Sequence, residues 1–235
     1  MIYISGINGF IGHHFAKRLE CKGIPRDTTQ QQMNELLKDA EYVIHLASYG
    51  NHSFQTDPLQ MIETNVKFLI KILKATDKKV YNVSSSSVYL KVRTPYANSK
   101  LLAEKVCQSF SNAVTIHPYS VYGEGEAQHK FIPTVINALK TGEQIELDKE
   151  AIHDWIHVED FIDAMIAGET EIGTGIKTTN IEVVQMLESI SNKKLKYICG
   201  QLRSYDNDNW VCPKGVKHIH LYEGLKKVYD FYRQH

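Results

Sequence analysis

The sequence has no surplus of charge of either sign. Lys and Arg number 27 against 27 Asp and Glu, so the whole-chain field offers nothing to a polyanion or an anionic bilayer. No nucleic-acid or membrane partner is expected. Cysteine is scarce, with four in 235 residues, and Cys21, Cys107, Cys199 and Cys212 show no metal-ligand spacing. That excludes a disulfide scaffold or zinc ribbon, and sets the expectation of a reduced, cytoplasmic, metal-free protein. No apolar run reaches membrane-spanning length, and "MIYISG" has no basic stretch ahead of an apolar one. Neither a leader nor a span is expected. Internal repeats and low-complexity linkers are missing too, which excludes a solenoid or a flexible tether. What remains is 43% hydrophobic and 23% charged, enough for one sizeable core with a small lobe appended.

Apolar runs of strand length alternate with amphipathic stretches of helical spacing. "MIYIS", "EYVIHLAS", "KKVYNVSS" and "AVTIHPYSVYG" read as strands, the second suited to a parallel strand covered on both faces. Between them, "GFIGHHFAKRLECKG" reads as a helix stopped by Gly23. "DPLQMIETNVKFLIKILKAT" reads as a long helix with Pro58 in its first turn, and "PYANSKLLAEKVCQSF" as another. This alternation predicts an α/β fold with a doubly wound parallel sheet over residues 1–122. Beyond Gly123 the helices "FIPTVINALKTG", "EVVQMLESI" and "LYEGLKKVYDFYRQ", with short strands, predict a small C-terminal α/β lobe over 123–235. Within it, 150–170 is a segment that could return to the sheet.

At the first strand–helix junction stand Gly6, Ile7, Asn8, Gly9, Phe10, Ile11 and Gly12. Glycines here permit a tight turn, a close approach of backbone to phosphate, and close packing of helix on strand. The helix N-terminus then offers free N–H groups to a pyrophosphate. Spaced glycines alone say little, but at this junction they point to dinucleotide binding.

A second cluster is "SSSSVYLKVRTPYANSK", from Ser84 to Lys100. Tyr96 and Lys100 are four apart on a predicted helix and share a face. An ammonium beside a phenol favours the phenolate and lowers its pKa, so Tyr96 reads as a base, with a serine hydroxyl from the strand end positioning the same substrate oxygen. Tyr and Lys at this spacing also occur on ordinary helices, and the serine run reads equally as a solvated strand end. The residues alone leave both open.

Taken in order, these motifs resemble the extended short-chain dehydrogenase/reductases, and among them the nucleotide-sugar epimerases and dehydratases. Gly6, Gly9 and Gly12 resemble the family's GxxGxxG. "VIHLAS" resembles the strand whose end, Leu46, Ala47 and Ser48, lines the cofactor. "ETNVKFLIKIL" resembles the helix with a structural asparagine, here Asn65. Tyr96 and Lys100 resemble the YxxxK pair, and counting back from Val88 and Tyr89 puts the catalytic Ser/Thr at Ser85. "DWIHVEDFIDAM" and "LRSYDN" resemble segments of the substrate lobe, the latter with Arg203 at the phosphate-binding arginine. The resemblance implies a Rossmann-like sheet, NAD as cofactor with NADP the alternative, a nucleotide-sugar substrate, and a homodimer through a four-helix interface. Ile62, Leu69, Leu73 and Leu102 could serve that interface or the core.

The chain also departs from the family. Between Gly12 and Asp39 there is room for one short strand only, roughly "GIPRD", so the sheet is expected to be reduced near its second strand. Asp27 would end that strand, placed for the adenosine ribose hydroxyls or as an N-cap, roles that are compatible. The loop between Tyr89 and Tyr96 is short. Ser86 and Ser87 stand where 4,6-dehydratases carry Asp and Glu, which argues against elimination. His153 replaces a phosphate-binding arginine, and Ser120 an asparagine that meets the diphosphate. With Ser85, Ser86 and Arg203 these form the expected substrate set, although a packed or solvent-facing role for His153 stays open. The expected chemistry is NAD-dependent epimerisation of a nucleotide sugar through a transient keto sugar. A 4-keto-sugar reductase and a cofactor-binding protein without turnover are the rivals.

Overall fold

The structure, a computed structural model, describes residues 1–52, 54–200 and 210–234. It divides into two compact units, Met1–Pro118 and Tyr119–His235.

In the first unit the elements are β1 (Ile2–Ser5), α1 (Phe10–Arg18), β2 (Cys21–Ile24), α2 (Gln30–Leu36) and β3 (Tyr42–His45). They continue with α3 (Pro58–Ile62), a π-helical turn Glu63–Lys67, α4 (Phe68–Ala75) and β4 (Val80–Val83). A 3-10 turn Ser86–Tyr89, α5 (Pro95–Cys107) and β5 (Ala113–Pro118) complete it. The strands are parallel and run β2-β1-β3-β4-β5. Chain direction therefore reverses at β1: one crossover leads out to β2, the next returns to β3 on the other side. The crevice beyond the carboxyl ends of strands at such a switch point is where open α/β sheets bind ligands. A single strand lies beyond β1, so the sheet is reduced as the spacing required.

Three local readings are corrected. The second strand is Cys21–Ile24, not "GIPRD", and α1 stops at Arg18 rather than at Gly23. Gly23 instead pairs with Ile4 in the sheet, where a Cβ would come within 2.7 Å of the Ile7 side chain. Asp27 is exposed in the turn after β2 and is not an N-cap. Thr29 caps α2 through a capping box with Gln32.

The core of this unit joins sheet residues such as Val43 and Val80 to Met33 of α2 and Leu37 just after it, to Leu69, Ile72 and Leu73 of α4, and to Ala103 of α5. Leu69 and Leu73 thus serve the core. Leu102 is exposed at 44%.

In the second unit the order is β6 (Ser120–Tyr122), α6 (Phe131–Thr141), β7 (Gln144–Leu147), β8 (Ile152–His153), β9 (Trp155–His157), α7 (Val158–Ile166) and β10 (Glu171–Ile172). Then come β11 (Thr178–Thr179), α8 (Asn180–Ser191), β12 (Lys196–Cys199) and α9 (Leu221–Gln234). "AVTIHPYSVYG" is thus two strands, not one. Short two-strand pairs β6–β9, β7–β12 and β8–β11 frame a core in which α6, α8 and α9 meet over Val135, Leu187 and Val228. Asp154 is its polar hub. Fully buried, it accepts hydrogen bonds from Thr174 N (2.7 Å) and Oγ1 (2.6 Å), Gly175 N (2.9 Å) and Cys212 N (3.0 Å). Among the described residues no helix is long and apolar enough to cross a membrane.

Candidate active site

The glycine turn follows β1 at the switch point, and each glycine has a separate steric reason. Gly6 has φ +76°, a conformation L side chains rarely adopt, and a Cβ there would lie 2.7 Å from Ala47 N. A Cβ on Gly12 would lie 2.3 Å from Gly6 O and 2.7 Å from Ile7 Cα. Both contacts are to backbone, which cannot step aside cheaply. Gly9 is exposed and caps α1 without any side-chain hydrogen bond, so the first N–H groups of α1 stay open to a ligand. Asn8 is exposed beside it, and Phe10 and Ile11 open the helix half-buried. Gly12→Ala should lower NAD affinity by at least about tenfold and cost ~1–3 kcal/mol of stability, the usual penalty of overpacking. Calorimetric titration with NAD and a thermal melt read the two effects, and parent-like values in both would refute the close-approach reading.

Leu46, Ala47 and Ser48 continue from β3, and their backbone meets the turn through the Gly6–Ala47 approach. Beneath them Ser5 Oγ bonds His45 Nδ1 at 2.7 Å and accepts from Ala47 N at 3.3 Å. Burial holds the His45 imidazole down to about 3, helped by the Lys100 charge, so this histidine stays neutral. Asn65, in the π turn, is fully buried. Its Oδ1 accepts from Tyr49 N (2.8 Å), and its Nδ2 donates to Tyr49 O (2.9 Å) and Ser99 Oγ (2.8 Å). Its amide therefore acts by tying the loop after β3 to α5.

The serine run resolves sharply. Ser84, Ser86 and Ser87 are buried, whereas Ser85 keeps partial exposure. The reading of a solvated strand end is overturned. Ser85 takes the extended N-cap position of the 3-10 turn, and its Oγ accepts from Ser87 N at 3.1 Å.

Tyr96 and Lys100 lie on successive turns of α5, whose N-terminus Thr94 caps. Burial pushes the Tyr96 phenol up, and the hydroxyls of Ser48 and then Ser85, facing it, offset part of that rise. This corrects the expectation that Lys100 draws the phenol down. The Lys100 ammonium is buried and donates to Val83 O at 2.6 Å, and burial lowers its own pKa to about 8. The convergence of Ser48 on Tyr96 goes beyond its expected role of lining a cofactor. Its only signal in the sequence is a hydroxyl at the end of an apolar strand.

The Cβ-intolerant cradle of Gly6 and Gly12, the open start of α1 and the hydroxyls at the sheet end fit a dinucleotide. Ser48 Oγ and Ser87 Oγ are buried atoms without a well-formed hydrogen bond among the described residues. No group of His, Cys, Asp and Glu among those residues could hold a metal.

A family model described as NAD dependent epimerase/dehydratase matches residues 2–181. The chain belongs to the NAD-dependent epimerase/dehydratase family. Members of this epimerase/dehydratase family act on nucleotide sugars with NAD. The chain is 26% identical to CDP-abequose synthase of Salmonella typhimurium, over 74% of this chain and 75% of that one. It is 24% identical to GDP-6-deoxy-D-mannose reductase of Pseudomonas aeruginosa, over 84% and 82%. Among solved structures, MoeE5 in complex with UDP-glucuronic acid and NAD is similar with a TM-score of 0.84 at 23% identity, covering 99% of both chains. An NAD dependent NDP-hexosamine 5,6-dehydratase, TunA, is similar with a TM-score of 0.85 at 21% identity, covering 100% of this chain and 98% of that one. These likenesses place the fold among Rossmann-like members of the family.

In the second unit, the epimerase/dehydratase chain brings two expected substrate residues together. Ser120 Oγ and His153 Nδ1 are 3.2 Å apart, and the His153 ring is 4.9 Å from that of Trp155 and 5.7 Å from that of Trp210. His153 is packed rather than solvent-facing. Arg203 and "LRSYDN" lie outside the described residues.

Proposed function

We propose that the chain epimerises a nucleotide sugar through a transient keto sugar. One observation carries this reading. Ser85 is the one serine of its run left accessible, it faces Tyr96, and the turn that follows holds buried Ser86 and Ser87 where elimination would need an acid and a base. Tyr96 takes the proton of the sugar hydroxyl, Ser85 hydrogen-bonds the reacting oxygen, and Lys100 holds the nicotinamide ribose. When bound, NAD would accept the hydride and give it back, and would place a positive charge beside Tyr96. The keto sugar turns over in the site, takes the same hydride on its other face, and Tyr96 returns the proton as the hydroxyl reforms with the opposite configuration. Gly6, Asn8, Gly9, Phe10, Ile11 and Gly12 would hold the pyrophosphate, Asp27 the adenosine ribose, and Leu46, Ala47 and Ser48 the flank of the dinucleotide. Asn65 holds the loop carrying that flank in place. Ser86, Ser120, His153 and Arg203 complete the proposed substrate set.

A panel of UDP-, CDP-, dTDP- and GDP-sugars with catalytic NAD tests this, with products read by NMR. The expected result is a mixture of epimers of one sugar with no net NADH formed. Stoichiometric consumption of NADH or NADPH with a 4-keto sugar would replace the proposal by a reductase.

The same reading includes a homodimer through α3–α4 and α5, the closed two-fold assembly being the commonest. Leu59 and Leu102 are exposed on these helices and Ile62 is half-buried. Light scattering at micromolar concentration should return twice the chain mass, and Leu102→Glu should return it to the monomer. A monomeric parent would refute the assembly.

A further inference from the structure

Helix α5 grips the end of β4 with two side chains one turn apart. Lys100 Nζ donates to Val83 O at 2.6 Å. Glu104 Oε1 accepts from the hydroxyl of the next residue, Ser84, and lies 3.0 Å from His117 Nε2 on β5. The Tyr89 ring closes over His117 at 5.2 Å. Ser84 is buried, and the Glu104 side chain is only 15% exposed. A carboxylate so enclosed acts on its neighbours with little screening. We propose that Glu104 is a positioning residue for Lys100: its carboxylate stands one turn along the same helix face, and through Ser84 it fixes the strand end that holds Val83 O against the ammonium and from which Ser85 projects.

The titratable groups around Lys100 are few. Glu104 and Cys107 share its helix, with Tyr96 one turn before, and His45 reaches it from β3. His45 is held neutral and the Cys107 thiol is pushed up by burial, so neither offers a full charge at neutral pH. Burial lowers the Lys100 ammonium to about 8, and Glu104 is the first influence opposing it. The sign follows: removing the Glu104 charge lets burial act unopposed, and the ammonium is lost at a still lower pH. No other clamp of this kind reaches from α5 to the residue before Ser85 among the described hydrogen bonds. The sequence shows its trace in the spacing of four between Lys100 and Glu104, which puts both on one helix face.

The inference rests on the proposed role of Lys100, and the experiment separates the two. The Lys100 ammonium is titrated by NMR in cofactor-free protein labelled at lysine, with Lys100→Arg assigning the signal. The midpoint is expected near 8 in the parent and about one pH unit lower in Glu104→Gln, the usual effect of a lost opposite charge. The alkaline limb of NAD affinity, read by calorimetry, should move down with it. Ser84→Ala removes a hydrogen bond but keeps the charge, so it should lower the melting temperature and leave the midpoint in place. Glu104→Asp keeps the charge on a shorter stem and serves if the amide variant does not fold: a midpoint below the parent's supports the coupling. An unmoved midpoint in the folded variant overturns the inference, whatever the enzyme does. A moved midpoint with unchanged NAD affinity and turnover upholds the coupling and instead removes Lys100 from the proposed function.

Discussion

Tyr96→Phe should lower turnover by ~10²–10⁴-fold, the range for a lost general acid–base group, while leaving the melting temperature and NAD affinity close to those of the parent. The change removes one oxygen that faces Ser48 and Ser85 and leaves the ring packed on α5. In the parent, turnover should rise with pH and then level off. The phenol is pushed up by burial, so its reactive form grows as pH rises. The Lys100 ammonium, lowered to about 8, is lost as pH rises through that value, and its loss offsets the further gain in phenolate. Tyr96→Phe should lose the rise below that value, and Lys100→Met the levelling above it. Turnover of the Phe variant within a few-fold of the parent would remove Tyr96 from the chemistry.

The largest stability loss expected is that of Asp154→Ala. The carboxylate is fully buried and accepts four hydrogen bonds from Thr174, Gly175 and Cys212. Truncation strands four donors, three backbone N–H groups and the Thr174 hydroxyl, and each stranded buried group costs ~1–3 kcal/mol. A total of at least ~3 kcal/mol should appear as a lower urea midpoint with a similar slope. Asp154→Asn keeps one acceptor oxygen but turns an NH2 group toward N–H donors, so about half that loss is expected. Gly173 leaves no slack for repacking, since a Cβ there would meet Asp154 Oδ2 at 2.7 Å. An Ala variant with the parent's midpoint would show that the hub is not holding these segments.

The sheet was legible where burial on both faces leaves an unbroken apolar run, as in "EYVIHLAS" and "KKVYNVSS". The helices α6, α8 and α9 were legible from their spacing. β2 was not, because "CKGI" is a short strand with mixed exposure. Its strand character comes from backbone pairing with β1, which leaves no hydrophobic pattern to read. In the site, chemistry was written in residue type and spacing at Gly6, Gly12, Tyr96 and Lys100. Four identical serines in a row carry no such information. The family resemblance counts back to Ser85, and the fold buries Ser84, Ser86 and Ser87 and leaves Ser85 partly exposed. The Glu104 clamp was half visible, as a spacing, while its partner His117 sits on the next strand and shows no periodicity shared with α5. The net direction of the Tyr96 pKa was invisible, because it depends on how burial weighs against two hydroxyls.

The π turn at Glu63–Lys67 makes the rod from Pro58 to Ala75 a splice between two angular settings. Each residue of an α-helix advances about 100° around its axis, and the widened turn absorbs one residue's worth of that rotation. Upstream, Asp57 caps the helix and Met61 packs at the place where a Gly50 Cβ would stand 2.9 Å away. Downstream, Leu69, Ile72 and Leu73 face the sheet. Wound as a regular α-helix with all its residues kept, the rod would turn one half by about 100° against the other. Either the core would keep its leucines or the loop after β3 would keep Asn65, and a rod of uniform pitch could not serve both.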